Sequence, residues 1–142
     1  MAMTPAPNVD EDSFADWSPE LRGELEARTA NPLVGTRLLL EDGRSRVWEI
    51  RLAPGERLTF HRHVLDYFWT CVSGVEAISR TGEGETITKS YGVGETRALS
   101  FGEGKSMIHD LINAGTADIV FTTVEFLDSA NEPLPLPDGV RA

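Results

Sequence analysis

The chain has 142 residues, enough for one domain with a core of its own, with 40% hydrophobic and 25% charged residues. Asp and Glu number 23 against 13 Lys and Arg, a formal charge of −10. That balance argues against nucleic acid and against an anionic membrane surface as partners.

Residues 1 to about 17 are rich in Pro, Ala, Asp and Asn and lack periodicity. They read as a mobile arm, although its Phe14 and Trp17 could dock elsewhere on the chain. Ser18-Pro19-Glu20 carries a helix-start signature, with a hydroxyl cap, a proline in the first turn and an acid at the positive end. The helix is expected over 19–28, ending before Asn31-Pro32. The arm and helix together form a segment 1–32.

From Leu33 the texture changes to short apolar runs cut by Gly-containing turns. Strands are expected over Val34–Leu40, Arg46–Ala53, Asp66–Val72, Val75–Arg80, Glu85–Tyr91, Thr96–Phe101, Met107–Asn113 and Asp118–Leu127. In Arg46–Ala53, Trp48, Ile50 and Leu52 share one face. Many short strands with one helix predict an all-β sandwich or barrel over 33–128. The tail 129–142 alternates Pro133, Pro135 and Pro137 with leucines and reads as an extended strap. No run reaches the roughly 18–20 apolar residues of a spanning helix. No basic, then apolar, leader pattern opens the chain, and Cys71 is its single cysteine, so a reducing cytoplasm is the expected location.

The chain has three histidines, His61, His63 and His109. In a strand, His-x-His sends both imidazoles from one face about 6.5–7 Å apart, a spacing from which two nitrogens can converge on one ion. The same pair also serves as ordinary packed histidines. Gly55-x5-His61-x-His63-x3-Tyr67-x6-Gly74, followed by His109-x3-Asn113, resembles the two motifs of the cupin superfamily, and the resemblance covers about Leu33 to Leu127. It implies a double-stranded β-helix, or jelly-roll barrel, with His61, His63 and His109 as metal ligands. Two departures stand out. Tyr67 and Phe68 occupy the positions where the family's first motif carries a glutamate. His109 comes four residues later than usual, with Ser100-Phe101-Gly102 near the missing proline; the longer turn Gly102–Lys105 is expected to form a lip of the pocket.

Three neutral imidazoles would leave the ion's +2 charge uncompensated and favour an anionic, chelating small molecule. Nitrogen donors suit Fe(II), Ni, Zn, Mn, Cu and Co. The likeness to thiol and diketone dioxygenases that hold iron with three histidines favours Fe(II) and a dioxygenase-like oxidoreductase. An isomerase or decarboxylase and a non-catalytic binder are the alternatives. Tyr67, Trp69 and Cys71 share the histidines' parity. Tyr67 is the candidate catalytic hydroxyl, or else barrel filling; Cys71 reads as a core residue. Asp66 and Asp110 face away from the histidines by parity, although a bulge between Val64 and Leu65 could turn Asp66 inward as a fourth ligand; Asn113 is expected to bond backbone. Glu125 could face the cavity as a proton shuttle or face outward. Arg37, Arg51 and Arg97 could bind a carboxylate or be solvated. A homodimer is expected, through Val47-type outer positions and the Leu-Pro tail.

Overall fold

The computed structural model describes residues 11–74 and 76–140. Nine strands are present among them: β1 Arg37–Glu41, β2 Ser45–Leu52, β3 Arg57–His63, β4 Tyr67–Ser73, β5 Glu76–Arg80, β6 Thr86–Ser90, β7 Thr96–Leu99, β8 Met107–Asn113 and β9 Ile119–Phe126. They form two antiparallel sheets, a five-stranded sheet in the order β1-β2-β9-β4-β7 and a four-stranded sheet in the order β3-β8-β5-β6. This is the double-stranded β-helix expected from the sequence. Among the described residues no helix is long and apolar enough to cross a membrane.

Alternation drives the sandwich. Trp48, Ile50 and Leu52 are buried on the inner face of β2, and Leu58, Cys71, Ala77, Leu111, Ile119 and Phe121 meet Ile50 and Leu52 between the sheets. Cys71 is the core residue expected of it. β3 is the strand that simple alternation does not mark, because its phase breaks. Leu58 pairs with Leu111 and His61 with His109, so Thr59 and Phe60 of β3 together stand opposite Asp110 of β8. This bulge turns Leu58 and His61 both inward and sends Phe60 outward. The outward Phe60 joins Phe14 and Leu25 in a second cluster, covered by Trp17, Leu21 and Ile108.

That cluster is where Phe14 and Trp17 dock, and it corrects the mobile-arm reading for the residues around them. Residues 1–10 lie outside the described residues, but Glu11–Phe14 is a 3-10 turn and Phe14 is only 4% exposed. Its apolar ring has a place to go only because the β3 bulge exposes Phe60 beneath it; Trp17 stacks on Phe60 at 5.6 Å. The helix α1 runs Pro19–Ala27, with the Ser18 hydroxyl accepting from the Leu21 N–H at 3.1 Å. Its Glu24 reaches Arg57 at 2.6 and 2.8 Å. Arg57 in turn donates to the fully buried Asp110 at 2.8 Å, as does Arg80 at 2.7 Å. Asp110 thereby satisfies its charge on the outer side of the four-stranded sheet, away from the histidines.

The strap packs at home. Leu136 and Val140 cover Val34, Leu38 and Trp48, and the Leu134 carbonyl accepts from Arg46 at 3.2 Å. Leu136 and Val140 of the tail therefore contribute to the packing of the chain's own β1–β2 end. Val75 of the expected strand 75–80, and residues 141–142 of the strap, lie outside the described residues.

Candidate metal centre

His61 and His109 face each other across the β3–β8 pair, with His63 two residues on. One nitrogen from each ring lies within 4.8 Å of the other two. His61 and His63 are each 2% exposed. Burial drives the pKa of His61 down to about 4, against a smaller opposing pull from its bond to Thr59 and from Asp110. Burial, followed by the neighbouring imidazoles, holds His63 well below its ordinary value; burial and His61 do the same for His109. All three rings are therefore neutral near pH 7, the state in which imidazole donates a lone pair.

The partners of the far nitrogens set the tautomers. His61 Nδ1 lies 2.8 Å from the Thr59 carbonyl, which can only accept, so the proton sits on Nδ1 and the Nε2 lone pair is free. The Ser79 hydroxyl donates to the Asp110 carbonyl at 2.7 Å, leaving a lone pair to accept from His109 Nδ1 at 3.2 Å. His109 is thus also set with Nε2 free. His63 Nε2 lies 3.2 Å from His109 Nε2, while His63 Nδ1 is buried without a partner. Nitrogens that share an ion at roughly 2.0–2.1 Å sit about 3.0–3.4 Å apart. The donor set fits a metal ion: two rings are oriented by neighbours, and the third stands at ligand spacing.

The rings form the floor of a recess of about 50 Å³, lined also by Tyr67, Trp69 and Tyr91. The same three aromatics and His109 lead into an outer cavity of about 570 Å³. The topology explains the opening. β6 pairs only with β5 and β7 only with β4, so the sandwich is unclosed between these two edges.

Tyr67 is 3% exposed and stacks on His63 with centroids 4.1 Å apart, and Phe101 is stacked beyond it at 6.3 Å. No described residue hydrogen-bonds its hydroxyl, which leaves that group free for a ligand. Burial raises its pKa and the Glu125 charge adds to this, with Arg97 acting against both, so the phenol stays protonated as a donor. Trp69 lines the cavity as parity predicted.

Glu125 faces inward, which removes the outward alternative. It pairs with Tyr67 across β9 and β4 and accepts from the Trp48 indole at 2.8 Å. Burial pushes its pKa up to about 7, opposed by the Trp48 bond and by Arg46. It lines neither the recess nor the outer cavity. Asp66 faces away as expected, its Oδ1 accepting from the Phe101 N–H at 2.9 Å. Asn113 donates to the Leu52 and Ala117 carbonyls, both at 2.8 Å. Arg37 and Arg51 have exposed side chains, 69% and 55%, and only Arg97 of the three expected arginines lines the cavity.

The lip differs from the expectation. Asn131 holds the Gly102–Lys105 turn back by accepting from Gly104 at 2.8 Å and donating to the Gly102 and Lys105 carbonyls. Ser106 and Met107 line the opening in its place. Ser79 and Thr59 were missed from sequence, since nothing local marks a hydroxyl or a carbonyl as the partner of a histidine.

No protein-family model matches the chain, and no curated protein matches it. Among solved structures it is similar to a cupin domain from Bordetella pertussis Tohama I, at 25% identity and TM-score 0.55 over 63% of this chain and 88% of that one. An uncharacterised conserved protein with a double-stranded β-helix domain from Klebsiella pneumoniae shares the fold at 23% identity and TM-score 0.53, over 75% and 90% of the two chains. An RmlC-like cupin family protein from Methanocaldococcus jannaschii does so at 17% identity and TM-score 0.52, over 63% and 76%.

Proposed function

This chain has the cupin fold, and from that premise we propose that it is a metal-dependent, dioxygenase-like enzyme acting on a small anionic molecule. His61, His63 and His109 would hold the ion, with Fe(II) favoured and Ni, Zn, Mn, Cu or Co also suited to three nitrogen donors. The observation that supports this reading is the convergence of three neutral imidazoles at the inner end of an open cavity. When bound, the ion would supply Lewis acidity and, as iron, redox chemistry with O₂.

The chain's own residues do the remaining work. Neutral rings add no negative charge, so the centre attracts anions. Thr59 and Ser79 hold two of the rings in the donating tautomer. Tyr67 fixes the plane of His63 by stacking and offers its hydroxyl proton to a ligand in the cavity. Trp69, Tyr91 and Phe121, mutually packed at 5.0–5.3 Å, form an apolar wall that keeps water from one side of the recess.

Elemental analysis of protein purified without chelator, beside His63→Ala, tests the reading. Near-stoichiometric iron that is lost in the variant, with oxygen uptake on a thiol, a diketone or an amino-acid-derived acid, is the expected result. Metal-dependent turnover unchanged under anaerobiosis would replace the oxygenase with an isomerase or decarboxylase. No metal, and none taken up on anaerobic reconstitution, would overturn the enzyme and leave a binding protein.

A further inference from the structure

Three cations line the outer cavity, Arg62, Lys89 and Arg97, and two of them are committed. Arg62 donates to the Thr29 carbonyl and the Ser106 hydroxyl. Lys89 pairs with Glu95 at 2.9 Å and lies over the rings of Tyr91 and Trp69, at 4.6 and 5.4 Å. Arg97 has no hydrogen-bond or carboxylate partner among the described residues. Arg97 is exposed on its strand, and what sets it apart from the exposed Arg37 and Arg51 is that it lines the cavity with its N–H groups uncommitted.

Its position is set by register. On β7, Leu99 stands opposite Tyr67 and Arg97 opposite Trp69. Cross-strand partners share a face, so Arg97 is on the inner face, one inner position or about 7 Å farther along the strand than the Tyr67–Leu99 row. Because β7 is an edge strand, this places the guanidinium at the mouth of the cavity that His109 lines from within. The opposite rim, the β5–β6 turn, presents Glu83 and Glu85. These acids repel a second negative group on that side. Trp69, Tyr91 and Ile87 supply apolar wall between the two rims.

We propose that Arg97 is the carboxylate receptor of this cavity, and that its ligand is a monocarboxylic acid with an apolar body, its acid group at the mouth and its other end toward the imidazoles. A planar guanidinium with free N–H groups binds carboxylate bidentately, which Lys89 in its paired position does not. The proposal rests on the cavity being a ligand site and specifies which end of the ligand carries the charge.

The test uses metal-stripped protein, with phenylacetate as probe and phenylacetamide as its neutral counterpart, read by Trp69-sensitive fluorescence and by amide shifts of β4 and β7. The wild type is expected to bind phenylacetate more tightly than the amide. Arg97→Gln should weaken phenylacetate binding by about tenfold to a hundredfold and erase the preference. Arg97→Lys should keep part of it, and the exposed Arg51→Gln should match wild type. Equal affinity for acid and amide, no saturable binding at millimolar probe, or a preference that survives Arg97→Gln would each overturn the proposal. Metal uptake is measured separately on the same variants. A protein that takes up no metal yet shows Arg97-dependent binding sinks the enzyme reading alone, and one that loads metal normally but ignores Arg97 sinks this proposal alone.

Discussion

The imidazole of His63 lies face to face with the phenol of Tyr67, centroids 4.1 Å apart and planes 11° from parallel. Tyr67 stands in the stretch where the first-motif carboxylate would be expected. It is an uncharged, protonated donor that contacts a ring of the cluster without supplying an acidic oxygen. The two contributions of Tyr67, stacking and hydroxyl, can be separated. Tyr67→Phe keeps the stack and should leave metal content and stability near wild type while lowering turnover. Tyr67→Leu loses the stack as well, and should cost about 1–3 kcal/mol in urea unfolding and reduce metal retention. Full turnover in Tyr67→Phe would remove the hydroxyl from the reaction.

Ser79 holds His109 in the tautomer that leaves Nε2 free. Ser79→Ala should weaken metal binding about tenfold to a hundredfold in chelator competition. Nitrogen chemical shifts of His109 in the metal-free protein should show mixed tautomers, a signature that a merely structural serine would not produce.

The three histidines titrate well below their unfolded value in the folded chain. Unfolded chain therefore binds more protons below pH 6.5, and the stability these rings contribute is full above that pH and lost as pH falls through their depressed folded values. His61 alone, between 6.5 and about 4, corresponds to about 3 kcal/mol. Urea midpoints of metal-free protein measured downward from pH 7 should show the loss, and His61→Gln should flatten it.

Glu125 has the opposite sign. Its folded pKa, pushed up to about 7 from 4.5 by burial, makes its contribution full below pH 4.5 and lost as pH rises through 7. Glu125→Gln retains an oxygen for the Trp48 indole. It should match wild type at acid pH and exceed it at pH 8 by something on the order of 3 kcal/mol. Parallel unfolding curves at pH 5 and pH 8 measure the difference.

The interior face of each strand was readable where alternation is unbroken. Trp48, Ile50 and Leu52 on β2, and Tyr67, Trp69 and Cys71 on β4, are inward as the period-2 pattern requires. The alternation of β3 was not readable, because its phase shifts at a bulge, and an extra residue has no local signature when its neighbours are Leu58, Thr59 and Phe60. The docking of Phe14 depends on that bulge, so the sequence offered Phe14 as a docking side chain without showing Phe60 as its partner. Among Arg37, Arg51 and Arg97, all on strands, only cross-strand register with Trp69 singles out Arg97 as inward at an open edge.

By itself the sequence determined the sandwich, the capped helix and the three histidines, since periodicity, turn residues and motif spacing are local properties of the chain. Tertiary structure alone decided that Thr59 and Ser79 orient two of those rings, that Glu125 is buried against Trp48, and that the cavity opens between β6 and β7. These depend on which backbone and side-chain groups meet across strands as many as 77 residues apart. Such meetings follow from register and sheet packing, which no short window of sequence contains.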